Sequence, residues 1–184
     1  MPYNAERTRR LHGWTAASLS GGAPLSFLGR LLGSSDDRPD LDVLTPGDEV
    51  LGDGEPWTVK AIIVYRMQDN EWPSVRLDRG DATVWVSYEE DTLVRYDPGP
   101  DLHLGKDGTV VWQGREYRTE DAGTATVARV IGPVDVAPGA RVSYHTLTSP
   151  EDTDRWLSVE SWDSGWVEIS IGRPWTIQRV NRRS

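Results

Sequence analysis

Two five-residue segments carry the same alternation of side chains. Trp85-Val86-Ser87-Tyr88-Glu89 and Trp156-Leu157-Ser158-Val159-Glu160 both read Trp, apolar, Ser, apolar, Glu. Successive side chains of an extended chain point to opposite faces. Trp85, Ser87 and Glu89 therefore share one face, with Val86 and Tyr88 on the other. Trp156, Ser158 and Glu160 oppose Leu157 and Val159 in the same way. An indole donor, a hydroxyl and a carboxylate on one face make a surface suited to recognising a ligand or partner. The alternative is that they seal a seam inside the protein while the aliphatic face fills the core. Trp72 and Trp162 complete the candidate binding set, because exposed Trp forms binding hot spots and stacks on sugar rings. The other reading of the nine tryptophans is that large aromatics fill small β cores.

The groups that most catalysis needs are sparse. Without cysteine there is no disulfide, thiolate zinc site, iron–sulfur cluster or Cys nucleophile. His12, His103 and His145 are the only histidines, and none has a second His at metal-ligand spacing. His145 sits in the alternating run Val142–Leu147 and reads as a strand residue rather than a base. No serine lies in a nucleophile-elbow glycine pattern, and no phosphate-cradling or dinucleotide-binding glycine motif occurs. Glu89-Glu90-Asp91 and Glu151-Asp152-Thr153-Asp154 are acidic clusters. The first, with Glu160, would supply a carboxylate pair for glycoside hydrolysis. The plainer reading is of solvated loop ends or weak cation sites. The chain is expected to be non-enzymatic, with no cofactor and no metal.

The elements that must position these residues are strands. From Val43 onward, short alternating runs are separated by regular turn signals, and no segment past residue 40 shows helical periodicity. Trp57, Val59, Ala61, Ile63 and Tyr65 alternate with polar residues, while Ile62 and Val64 make the second face apolar as well, which predicts a central strand. Further strands are expected over Thr109–Trp112, Arg115–Thr119, Thr124–Ile131, Arg141–Leu147, Trp156–Glu160, Trp166–Ile171 and Thr176–Val180. Asp53-Gly54, Gln113-Gly114 and Ser164-Gly165 read as hairpin turns.

The two Trp-x-Ser-x-Glu segments are 71 residues apart, and Val50–Gly54–Trp57 has a counterpart in Val110–Gly114–Tyr117 about 60 residues later. An extra loop at Gly132–Gly139 accounts for the difference. This pattern predicts a duplicated, mainly β fold: two small β-barrel or half-sandwich-like halves, 41–100 and 101–184, packed as one domain. An appendage, residues 1–40, precedes them. It contains an amphipathic stretch in which Leu25, Leu28 and Leu32 share a helical face flanked by Phe27 and Leu31. That stretch is an anchor on a membrane surface or partner, a helix that packs on its own β domain, or a disordered tail.

Residues 36–177 carry 28 acidic and 13 basic side chains. Such a body repels phosphate backbones, so nucleic-acid binding is not expected. No apolar run approaches the ~20 residues of a membrane span, and no signal peptide is read. The expected location is cytoplasmic, extending to peripheral attachment at the inner face of the membrane.

From about Leu44 to Ile177 the chain resembles the bacterial domain-of-unknown-function family 4178. The likeness rests on Pro46-Gly47-Asp48-Glu49-Val50, Trp57-Thr58-Val59, Glu71-Trp72 leading to Arg76-Leu77, and the two Trp-x-Ser-x-Glu segments. Where family members often have Glu-Tyr after the first Trp of the middle hairpin, this chain has Pro73-Ser74-Val75. The resemblance implies a β-barrel-like domain without established catalysis, often encoded beside small membrane proteins and membrane-remodelling proteins. The expected function is therefore an accessory or scaffold domain that binds a membrane-associated protein partner. The alternative is a small-ligand or carbohydrate-binding β module, and an unrecognised enzyme is a third option.

Overall fold

A computed structural model describes residues 40–89 and 92–181, with side chains as far as Ile177. The Leu25, Phe27, Leu28, Leu31 and Leu32 stretch lies outside the described residues. Among the described residues the protein is mainly β, with a single 3-10 turn over Leu41–Val43. Strands β1 (Glu49–Gly52), β2 (Glu55–Met67), β3 (Asn70–Arg79), β4 (Ala82–Glu89) and β5 (Thr92–Pro98) form a meander. Strands β6 (Thr109–Trp112), β7 (Arg115–Ile131), β8 (Arg141–Ser149), β9 (Asp152–Trp162) and β10 (Val167–Pro174) form another. The two meanders meet at β5 and β10, and β11 (Ile177–Asn181) returns to pair with β1.

The sheet closes on itself because two strands are long enough to have more than one set of neighbours. The first residues of β2 pair with β1, while Ile62–Arg66 pair with Thr126–Ile131 of β7. Strand β7 in turn pairs with β6 over Arg115–Arg118 and with β8 over Arg118–Thr126. The result is an eight-stranded barrel, β2-β3-β4-β5-β10-β9-β8-β7, with β1, β11 and β6 as additional strands. Each half of the chain gives four strands to that one barrel. The two segments expected over Arg115–Thr119 and Thr124–Ile131 are one strand, continued through an irregularity between Thr119 and Asp121.

Local chemistry sets the hairpins. Asp53 and Gly54 have φ of 54° and 78°, and Gln113 and Gly114 have φ of 52° and 76°. Two successive left-handed residues match the right-handed twist of the flanking strands, and glycine adopts that conformation without a steric cost. The Ser164-Gly165 turn is closed by Trp162 N–H donating to the Trp166 carbonyl at 2.8 Å.

Three apolar clusters hold the barrel. Val75, Leu77, Val84 and Val86 are almost fully buried on the face of β3 and β4 opposite Ser74, Arg76, Trp85 and Ser87. They are covered by Val50 of β1, Leu41, Leu44 and Trp175, and joined by Trp57 and Val59. On the other half, Leu147, Leu157, Val159 and Ile169 pack with Val110 and Tyr117 under Leu102, Leu104 and Trp112. The third cluster, Ile63, Tyr65, Ala125, Val127, Val142 and Trp162, lies where β2 meets β7 and β9 comes near. Both faces of β2 are buried, in agreement with its expected central position.

Asp152 corrects the reading of Glu151–Asp154 as a solvated loop end. It is buried at the start of β9 and accepts from Tyr117 Oη and Arg115 Nη1, both at 3.0 Å, with Arg155 Nη2 at 2.7 Å. Burial alone would raise its carboxyl. Hydrogen bonds from Arg155 and Tyr117 and the nearby guanidinium charges outweigh this and hold the carboxyl below its ordinary range. Its contribution is therefore present above the ordinary Asp value and lost as pH falls through the depressed one. Asp152→Asn is expected to cost about 1.5–3 kcal/mol at pH 7. Urea unfolding should show that deficit shrinking as pH falls below about 4, where the unfolded chain's carboxyl takes up its proton, and continuing to shrink until the depressed native carboxyl is protonated too.

Candidate functional site: an acidic, aromatic barrel lumen

The barrel encloses a cavity of about 650 Å³ to which all eight of its strands contribute. Strand pairing explains how. On β4, Trp85 and Ser87 lie opposite Arg76 and Ser74 of β3, and Trp85 also faces Tyr96 of β5. On β9, Ser158 and Glu160 lie opposite Ser170 and Glu168 of β10 on one side, and opposite Thr146 and Tyr144 of β8 on the other. All these side chains share the inward face, so one two-residue phase runs around the barrel. The connection between β7 and β8 adds Pro133, Val134, Asp135 and Val136 to the wall. The Gly132–Gly139 segment, expected as an extra loop, thus shapes the cavity.

Seven of the eight candidate binding residues meet here: Trp72, Trp85, Ser87, Glu89, Ser158, Glu160 and Trp162. Trp156 does not. It packs on Gly172, where an added Cβ would stand 2.2 Å from its Nε1. Ser87 Oγ donates to the Pro73 carbonyl at 3.0 Å, so its hydroxyl is committed to the wall. Tyr96 Oη donates to the Glu89 carboxylate.

Four aromatic rings follow one another along the cavity. Trp72 stacks on Tyr65 at 5.7 Å, Tyr65 approaches Trp162 at 6.3 Å, and Trp162 stacks on Trp166 at 6.3 Å. Trp162 is 6% exposed, and its indole N–H has no hydrogen-bond partner in the protein. A buried donor left in that state costs stability unless a ligand or solvent accepts from it.

The electrostatics of the lumen are lopsided. Among the described residues of its wall, Glu89, Asp135, Glu160 and Glu168 face a single cation, Arg76. Arg76 already donates to Asp78 at 3.1 Å. Burial, reinforced by the charge of Glu168, pushes the Glu160 carboxyl up to about 7. Burial raises Glu168 as well. Tyr65 is raised well above its ordinary value by burial and then by Glu160 and Glu168, and Tyr144 is pushed up to about 12 by burial, Asp121 and Glu89. Two carboxyl groups on directly opposed residues disfavour simultaneous ionisation. Such a site can hold a proton or hold a cation.

Tyr65, Tyr96, Asp135, Tyr144, Trp166 and Glu168 belong to this wall but carried no sequence motif. The signal available was strand phase, which places each on a face without saying that the face is a lumen. Among the described residues no His, Cys, Asp and Glu side chains gather as a metal site, and no helix is long and apolar enough to cross a membrane.

No curated protein and no solved structure matches the chain. A family model does, over residues 45–176, and is described as a domain of unknown function, DUF4178. That span runs from just before β1 to the end of the closed barrel, and the chain belongs to the DUF4178 family.

Proposed function

We propose that the protein is a non-catalytic binding module whose ligand is a small molecule held in the barrel lumen. The observation that carries this reading is the cavity itself. Its volume of about 650 Å³ is in the range of small-molecule sites, and aromatic walls with a few converging polar groups are typical of them. Strand pairing on all sides makes the cavity part of the fold rather than a surface groove. The expectation of a membrane-associated partner rests on the family resemblance and on the Leu25–Leu32 stretch, and no observation within the described residues favours it over ligand binding.

A second reading has one observation behind it. A carboxyl raised to about 7 beside a second carboxylate is the composition of a general-acid pair. Turnover of aryl glycosides that disappears in Glu160→Gln would favour it over pure binding.

The test is to fill the lumen. Ser158 is half-buried on the cavity wall, and Ser158→Phe places a ring in the space. Native mass spectrometry after incubation with a small-molecule cell extract should show adducts on the wild type that are lost on Ser158→Phe. Circular dichroism checks that the barrel remains. Equal capture by both proteins, or by neither, would remove the lumen as a binding site.

A further inference from the structure

The wall chemistry narrows the class of ligand, on the condition that the lumen is the binding site. We infer that the lumen takes an organic ammonium ion, its cationic head against Glu160 and Glu168 and its apolar body along Tyr65, Trp72 and Trp162. Three observations converge on this. The carboxylates of the wall outnumber its one guanidinium, which Asp78 already engages. Glu160 and Glu168 occupy directly opposed positions on β9 and β10, so their charges repel across a cavity that screens them poorly. The rings beside them present negative π faces, which attract a cation most strongly where water is excluded.

Other ligand classes fit less well. An anion would add to the repulsion between the carboxylates. A neutral sugar would leave that repulsion uncompensated. An ammonium ion relieves the repulsion, and a carbonyl or hydroxyl on the same molecule can accept from the unpartnered Trp162 N–H, 6% exposed beside the pair. That donor is independent of the acidic groups and points to a ligand carrying an acceptor as well as a charge.

The experiment compares probes of matched shape on the unmodified full chain by isothermal titration calorimetry at pH 8. Choline is the ammonium probe, 3,3-dimethyl-1-butanol its neutral isostere, and benzoate the anion. Choline should bind about tenfold or more tighter than its isostere, the ratio expected of a desolvated cation–π contact with a carboxylate nearby. The Glu160→Gln/Glu168→Gln double variant should lose about that factor for choline and none for the isostere. If the isostere or benzoate binds as tightly as choline, the ammonium inference fails while the lumen stands as a binding site. If no probe binds, the inference also fails. The Ser158→Phe comparison with cell extract then decides separately whether the lumen reading falls with it.

Discussion

Trp57→Ala is expected to lower the unfolding free energy by about 3–5 kcal/mol, the usual result of emptying a large aromatic site in a core. Trp57 is 2% exposed and lies opposite Val50 on β1. Its ring meets Trp175 edge-on at 6.0 Å, and the guanidinium groups of Arg79 and Arg95 sit 4.8 Å and 5.0 Å from its centroid. The loss propagates through Trp175, whose Nε1 donates to Asp53 in the β1–β2 turn at 2.8 Å. Trp175 also fills the space over Gly52, where an added Cβ would lie 1.8 Å from its ring. Removing Trp57 therefore weakens the layer formed by β1 and β11 as well as the core beneath it. A deficit of this size is a large part of a typical domain's stability. Urea unfolding followed by far-UV circular dichroism measures it. Val111→Ala, at a position 65% exposed, is the control and should change stability by no more than about 0.5 kcal/mol. Equal effects at the two sites would show that the cluster around Trp57 is not the packed core described above.

The second large effect has the opposite sign. Glu160→Gln should stabilise the protein at pH 8 and leave it nearly unchanged at pH 4.5. The folded-state carboxyl is raised from 4.5 to about 7, so the native state holds a proton that the unfolded chain releases earlier. Stability from this group is fully present below about 4.5 and is lost as pH rises through about 7. Above that, the wild type carries a buried charge facing Glu168 on β10, with Tyr144 of β8 opposite, Tyr65 of β2 nearby and Glu89 on the same cavity wall. Gln keeps the shape and removes the charge. The gain at pH 8 is on the order of 3 kcal/mol, or a rise in Tm of roughly 5–10 °C. Thermal melts of both proteins across this pH range give the test. Parallel curves, with no divergence between pH 5 and 8, would mean that Glu160 titrates normally and is solvated. The same proton links to ligand: if an ammonium ion binds beside Glu160, binding releases the proton near pH 6, and affinity rises between pH 6 and 8.

Both effects arise from residues that were prominent in the sequence for less specific reasons. Trp57 stood out as one member of an alternating run, and Glu160 as the end of a repeated five-residue segment. Neither context carries magnitude. The cost of losing Trp57 depends on Trp175, which is far away in the chain. The shift at Glu160 depends on Glu168 and on the surrounding rings. Asp152 makes the same point in reverse: an acidic run in the sequence conceals one carboxylate that is buried and fully engaged. Trp156 differs from Trp85 only in its tertiary surroundings, since its indole lies against Gly172 opposite it on β10 and is not part of the cavity lining.

The sequence by itself determined what local interactions control. Alternating apolar and polar residues settle that the chain is β, because the pleat has a two-residue period. Asp53-Gly54 and Gln113-Gly114 settle two hairpins, because their backbone angles suit those residues and few others. The two apolar faces of Ile62–Tyr65 mark a strand covered on both sides. Tertiary structure alone decided the rest. Whether the sheet stays open or closes depends on Ile62–Arg66 finding Thr126–Ile131, a pairing between positions sixty or more residues apart that no local pattern encodes. Closure then turned one face of every barrel strand into a lumen and enclosed within it Glu160 and Glu168, which the β9–β10 hairpin sets opposite each other. The site is a property of the closed barrel, because its electrostatics come from groups on separate strands that face one cavity.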